Sequence, residues 1–326
     1  MTGPTARAEL LEDRGEAAVC DQFFRSREFL DAEAATHTLR IETGDGRELV
    51  APLLVREITD AEPARDAISP YGYPGLVPAS ERSSSRYAGT SATRPLDPAA
   101  IDFSATGLVS VFLRHTLGPA PLTGASERNV VQVADPALAP KSRPSDRRQV
   151  RRNLEAGYAL ELIPGPETTA PQRAGFLALY EQTMRRTEAA AHYFFGAPYF
   201  DRILAAERTW LALATAPAGE LAAASIAVVS DGYLHYYLSG SADSHLRDSP
   251  MKNVLAALVE HAAGLGLPLN LGGGISGGDA LEEFKRGFAN RELAWCTSEL
   301  VCDREAYERL ASGSPPEGFF PAYRAP

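Results

Sequence analysis

Lysine is almost missing from this chain. Lys and Arg together number 32, yet lysine stands only at Lys141, Lys252 and Lys285, so arginine is the default cation and each lysine asks for a reason. Cysteine is scarce as well. Cys20, Cys296 and Cys302 are odd in number and form no C-x-x-C pair, so neither a disulfide framework nor a zinc site is indicated. The six histidines offer no H-E-x-x-H or similarly close ligand pair, so no metal is expected. No stretch approaches the length of a membrane span, and no N-terminal segment joins a basic start to an apolar run and a cleavage site. The expectation is a soluble protein of the reducing cytoplasm, with no membrane partner. There is no basic tail, and a formal net charge of -10 argues against a chain coated by nucleic acid, while leaving room for a local basic patch on an acidic body. Gly274-Ile275-Ser276-Gly277-Gly278 spells G-x-S-x-G but lies within a glycine-rich run, and no recognisable Cys–His arrangement accompanies it, so a nucleophilic mechanism is not expected.

What is there fills 326 residues, enough for two domains of ordinary size. EAAVCDQFFRSREFL places Val19, Phe23 and Leu30 near helical spacing. THTLRIET and RELVAPLLVRE, parted by GDG, read as a hairpin. ISPYGYPGLV follows, then a polar loop from Ser80 to Pro98, then the strands GLVSVFLRH and RNVVQVAD. The run from Asp135 to Asp146 is rich in proline and lacks periodicity, so the main boundary is expected there. Beyond it come a helix from about Asp146 to Ala156, the strand YALELI and the helix PQRAGFLALYEQTMRRT, with Phe176, Leu179, Tyr180 and Met184 on one face. Three strands follow, TWLALAT, ELAAASIAVVS and YLHYYLSGS, the last two joined at Asp231-Gly232. The helix PMKNVLAALVEHAAGLG, strand PLNL, helix DALEEFKRG and strand ELAWCTSEL complete the order.

That order, with LGGG before a short acidic helix ending in F-K-R-G-F, the R-R-x-x-R-R-N segment and S-P-Y-G-Y-P-G, resembles the Fem family of tandem GNAT-like aminoacyltransferases. The resemblance covers most of residues 146 to 300 and is weaker over residues 1 to 145. It implies an α/β (α+β) chain of two tandem GNAT-like domains: a degenerate one over 1–145, a second over 146–312, and a tail over 313–326 returning to the first. It also implies transfer of an aminoacyl group from aminoacyl-tRNA to an amine of a peptide-like or small-molecule acceptor, with no resident cofactor. The donor ester is already activated, so the task is to align amine and carbonyl and to stabilise the developing oxyanion.

The matching lysine of the family is thought to contact the tRNA 3′ end, which makes Lys285 the first candidate, with Phe284 packing beside it or stacking on the terminal base. The alternative is a solvated Lys285 on an amphipathic helix whose Phe284 and Phe288 are core residues at i, i+4 spacing. Arg147, Arg148, Arg151, Arg152 and Asn153 share one helical stretch, with Ser145 or Asp146 as its cap. Arginines in the first turns oppose the helix macrodipole at small cost, and binding phosphate or carboxylate would be their use. An ordinary solvated face is the competing reading. Gly273 and Gly274 either offer amides to an anion or only permit a tight turn, and Asp279 either caps the next helix or meets the substrate amine. Tyr71 and Tyr73 sit on a proline- and glycine-ringed loop, and Tyr236 and Tyr237 take opposite sides of a strand, so that one of the latter pair can face a cleft.

The competing donor is an acyl-CoA such as acetyl-CoA. Enzymes using it hold the pyrophosphate on a Q/R-x-x-G-x-G/A loop that opens the helix after the fourth strand. SHLRDSPMKNVLAAL, the corresponding stretch, has no glycine. Which amine accepts and which amino acid is transferred are not written in these residues.

Overall fold

Alternation in HTLRIET and the apolar run in ELVAPLLVREI, joined where Gly46 adopts a left-handed φ of 81°, close the hairpin that the sequence announces. The computed structural model describes residues 5–13, 22–59, 63–79, 94–313 and 318–325. They form two units, Met1–Arg128 with Ala294–Pro326, and Asn129–Leu293. The division therefore falls at 128/129 and again at 293/294, while the proline-rich run from Asp135 to Asp146 lies inside the second unit.

In the first unit the strands are β1 (Ala6–Leu11), β2 (His37–Thr43), β3 (Glu48–Ile58), β4 (Ala64–Ile68), β5 (Val77–Pro78), β6 (Ile101–Asp102) and β7 (Ser110–Arg114), with the short helix α1 (Arg27–Ala32) before β2. The sheet order is β6-β1-β2-β3-β4-β7, and Leu39, Ile41, Leu49, Leu53, Val111 and Leu113 belong to its core. β1 and β4 were not legible in the sequence. The helix expected over Glu16–Leu30 begins, among the described residues, only at Arg27, capped by the Ser26 side chain; residues 14–21 and most of the polar loop, 80–93, lie outside the described residues. The chain's end belongs to this unit too. Tyr323 bonds Ser110 at 2.8 Å, and Arg324 shares the buried Asp66 carboxylate with Arg56.

The second unit runs β8 (Ser126–Ala134), α2 (Pro144–Glu155), β9 (Ala159–Pro164), α3 (Ala170–Arg186), α4 (Ala197–Ala205), β10 (Thr209–Thr215), β11 (Leu221–Ser230), β12 (Tyr233–Ser241), α5 (Met251–Gly264), β13 (Leu269–Gly272) and α6 (Ala280–Arg286); β14 (Arg291–Val301) then leaves it, and most of β14 and all of α7 (Arg304–Leu310) belong to the first unit. Its sheet order is β8-β13-β12-β11-β10-β9, antiparallel throughout except for β12 beside β13. Alanines at 212, 214, 223 and 227 join the α5 core cluster, so by strand alternation Leu211, Leu213, Ala224 and Ile226 face the α3–α4 side. Small residues on both faces of β11 let helices lie close to the sheet. α4 was missed in the sequence, although Tyr199, Phe200, Ile203 and Leu204 repeat at helical spacing behind a proline in its first turn.

Asp146 does not cap α2. The helix starts two residues earlier, with Arg143 as N-cap and Pro144 in the first turn, and Asp146 is buried. Among the described residues no helix is long and apolar enough to cross a membrane.

Gly240 on β12 shows how close the packing is. A Cβ there would overlap the Leu179 carbonyl of α3 and lie 2.5 Å from the Tyr180 amide nitrogen. Gly240→Ala is expected to destabilise the second unit by about 1–3 kcal/mol, because backbone cannot yield as a side chain can. A lowered urea midpoint at unchanged slope is the readout; an unaltered midpoint would contradict this packing.

Candidate active site at the glycine turn

β12 and β13 pair at Leu234↔Leu269 and His235↔Asn270 and then part. Beyond that point Tyr237 is left out of the β11 register as a bulge, since Ala227 pairs with Tyr236 and Ile226 with Leu238. The parted ends carry Tyr236 and Tyr237 on one side and Gly272, Gly273 and Gly274 on the other. Parallel strands that separate at their carboxyl ends leave a crevice flanked by backbone, a usual place for ligands.

The glycines are held by distinct neighbours. Gly272 has a left-handed φ of 74°. A Cβ on Gly273 would lie 2.5 Å from Asn129 Nδ2, and one on Gly274 would lie 2.7 Å from Asp279 Cγ. Asn129 Nδ2 donates to Gly274 O at 2.9 Å, while the Asp279 carboxylate accepts from the amides of Ile275 (2.6 Å), Ser276 (3.0 Å) and Glu282 (2.8 Å). These bonds hold the Asp279 carboxyl below its usual range and make it the N-cap of α6. Its oxygens are thereby committed to the turn rather than to a substrate amine.

A buried polar chain sets this turn from behind, and sequence reasoning missed it. His235, 1% exposed, donates from Nε2 to Ser230 O (3.1 Å); its Nδ1 accepts from Asn270 Nδ2 (3.0 Å), and Asn270 Oδ1 accepts from the Gly272 amide (2.8 Å). The carbonyl partner assigns the proton to Nε2. Burial pushes the imidazole down to about 4, so it stays neutral at neutral pH. The asparagine in PLNL, two residues before the first glycine, was the visible sign.

Lys285 is not a solvated lysine. It is 8% exposed, donates from Nζ to Gly273 O at 2.6 Å, and has no carboxylate at ion-pair distance among the described residues. Burial pulls its ammonium down to about 8, against a weaker opposing pull from Asp279. The ammonium carries three donors, so one carbonyl leaves it with capacity toward the crevice. Phe284, by contrast, packs on the α5 core cluster beside Phe288, ring centroids 6.2 Å apart, and its ring is committed to that packing.

Two motifs singled out in the sequence meet here. The Arg143 amide donates to Gly287 O (3.1 Å), Arg143 Nη2 pairs with Glu283 (2.6 Å), and a Cβ on Gly287 would overlap the Asp146 carboxylate. Asp146 also takes Lys252 at 2.9 Å. Asn153, expected among the substrate contacts, is instead a packing residue: 2% exposed, it donates to Asn253 Oδ1 (2.7 Å) and Asp248 O (2.8 Å), joining α2 to the start of α5. Arg148, Arg151 and Arg152 are exposed; Arg148 and Arg151 have no ion-pair partner among the described residues.

The tyrosines divide. Tyr236 donates to Ser239 Oγ at 2.6 Å and packs on the α5 cluster, its hydroxyl pushed up to about 12 by burial. Tyr237 meets the Tyr199 hydroxyl at 2.7 Å. Tyr71 and Tyr73 belong to the first unit, where the Tyr71 amide donates to Glu33 and the Tyr73 ring stands edge-on to Phe24 and Trp295. No group of three or more His, Cys, Asp and Glu residues fit to hold a metal occurs among the described residues.

Residues 140–286 match the family described as acetyltransferase (GNAT) domain. The crystal structure of FemX superposes with a TM-score of 0.60 over 91% of this chain and 97% of that one, at 11% identity. The C-terminal domain of a protein named as a lysylphosphatidylglycerol synthetase, from Agrobacterium fabrum, gives a TM-score of 0.56 over 90% and 93%, at 14% identity. No curated protein matches. This is the Fem-like tandem GNAT fold. Its second unit carries a GNAT acyltransferase domain, with β12 and β13 as the parting strands and α5 as the helix between them.

In this Fem-like fold the lowered Lys285 value has a sign that can be checked. The group is neutral in the folded protein above about pH 8 but stays charged in the unfolded chain up to its ordinary 10.5, so between these values the unfolded state binds more protons and stability rises with pH. The stability of the wild type relative to Lys285→Met should therefore climb from about pH 8 to 10.5 and be flat below that window. A difference independent of pH would mean that Lys285 titrates as a solvated lysine.

Proposed function

We propose that this acyltransferase moves an aminoacyl group from aminoacyl-tRNA to an amine of a peptide-like or small-molecule acceptor, forming an amide. The observation that carries the reading is Lys285: a buried ammonium beside the glycine turn, at the parted ends of β12 and β13, which the F-K-R-G-F resemblance likens to the Fem family's lysine. The amine attacks the ester carbonyl, the carbon–oxygen bond to the tRNA ribose breaks, and the ammonium offsets negative charge at the tRNA 3′ end. In a site so little exposed, that attraction is screened far less than at a surface. Arg148 and Arg151, unpaired among the described residues, with Arg152 beside them, supply cations for phosphates further along the strand.

The other donor is an acyl-CoA, and the start of α5 argues against it. The Lys252 amide is bonded to Ser249 O (2.9 Å) and the Asn253 amide to Pro250 O (2.9 Å), while Asn253 Nδ2 holds Val150 O of α2 (3.0 Å). The first turn where this fold would cradle a pyrophosphate thus has its Lys252 and Asn253 amides engaged and α2 laid against it.

The test is incubation with charged tRNA and, in parallel, acetyl-CoA, each with a panel of amines. Transfer from tRNA is expected, with acetyl-CoA binding weakly or not at all; low-micromolar affinity for acetyl-CoA in calorimetry would overturn the assignment. Lys285→Ala should lower transfer by roughly 10- to 150-fold, the equivalent of about 1.5–3 kcal/mol for a charge-assisted contact. Lys285→Arg should recover only part, because a planar fork replaces a compact charge. Rising salt should weaken the wild type more than the alanine variant. Equal activity and equal salt dependence would remove Lys285 from the mechanism.

A further inference from the structure

A second concavity in the Asn129–Leu293 unit lies between α2, α5 and the segment 135–142, and encloses about 550 Å³, within the range of small-molecule sites. Two helical stripes face it. Val150 and Leu154 come from α2, and Ala256, Val259 and Ala263 from α5, each set at the i, i+3, i+4, i+7 spacing of one helix side. Phe288 supplies the one aromatic ring of the lining. Two leucines at the mouth are unusually open to solvent, Leu138 at 46% and Leu154 at 53% exposed.

The third wall is preformed. Asn290 grips Asp135 through both backbone groups (2.8 and 2.9 Å) and reaches Ala139 O (3.3 Å), Arg291 pairs with Asp135 (3.1 Å), and the Arg143 amide closes the far end on Gly287. Prolines 136 and 140 stiffen what lies between.

Charge at the mouth is one-sided. Lys141, Arg147 and Arg151 are exposed there, and Lys141 and Arg151 have no ion-pair partner among the described residues. Of the two acids in the lining, Asp135 is neutralised by Arg291, which leaves Glu260.

We infer that this cavity binds a single-chain amphiphile: an unbranched hydrocarbon chain between the α2 and α5 stripes, with a carboxylate or phosphate monoester head at Lys141, Arg147 and Arg151. Aliphatic stripes along two helices suit an extended chain better than a flat ring, and the cations at the mouth select an anionic head. The site shares Arg151 with the arginine face proposed for tRNA phosphates, but its test needs no donor and no transfer.

Calorimetry of the full chain with octanoate, decanoate, laurate and myristate, each below its micelle concentration, reads the chain. Lauryl phosphate distinguishes the phosphate source from the carboxylate source, and decanol is the neutral control. One saturable site is expected, with a gain of about fourfold in affinity per added methylene, and decanoate about tenfold tighter than decanol. Ala263→Trp, which fills the cavity from an exposed position, should weaken laurate by about tenfold or more, and Arg151→Glu and Lys141→Glu should weaken both anions; circular dichroism melts verify that each variant is folded. Absence of saturable binding, equal affinity for decanol and decanoate, or unchanged laurate affinity in folded Ala263→Trp would overturn the assignment. So would binding confined to an acidic amphipathic peptide or to anionic vesicles.

Discussion

Asp146 pressed against Gly287 is the contact on which the second unit's functional face depends. The carboxylate sits where a side chain at 287 would have to be, and it takes Lys252 from the first turn of α5 at 2.9 Å. Three helices, α2, α5 and α6, are thereby fixed to one anion that is itself nearly out of solvent. Breaking such a pair from one side is costly, because the remaining charge is left uncompensated. Fixing α6 in turn aims Lys285 at Gly273, and α2 is held across the start of α5 through Asn153 and Asn253.

The scarcity of lysine becomes intelligible in this light. Lys252 is a compact charge that fits between a helix start and a buried carboxylate. Lys285 is a compact charge that fits under a glycine carbonyl. A guanidinium is wider and needs in-plane partners for its donors, and neither seat offers them. Lys141 differs, being exposed on the pinned segment. Arginine takes the other roles, from networks such as that of Arg286 with Glu282, Glu283 and Glu292 to buried seats such as Arg25 under the Pro74 carbonyl.

Periodicity made most of the second unit legible: the meander β10–β12, the helices α3 and α5, and the turn from β13 into α6 stand close to where the pattern put them. The tandem GNAT-like class was legible through motif order. What the pattern hid were short elements such as β1, the exchange of roles among polar residues, and α4, whose helical spacing was there but was missed. Arg143 rather than Ser145 or Asp146 starts α2, because a proline at the next position fixes the entry angle and Asp146 is drawn inward by Lys252. Asn153 looked like a ligand contact because polar residues beside arginines usually face water; its burial depends on α5, some hundred positions away, which no local window contains. The His235–Asn270–Gly272 chain is hidden for the same reason, since a histidine in one strand and an asparagine in another acquire meaning only when the strands pair.

Each glycine of the turn is required by a different partner: Gly272 by its own backbone angle, Gly273 by the Asn129 amide, Gly274 by the Asp279 carboxylate. No single compensating change could relieve all three. A lineage carrying this turn cannot replace the glycines one at a time, since each step meets a separate obstacle while the other two stay in force. Change must come instead at the neighbours first, with Asn129 or Asp279 shrinking before its glycine can grow. The path by which such a site could acquire a new donor or acceptor therefore runs through the residues that surround the turn, and the turn itself would be among the last parts to vary.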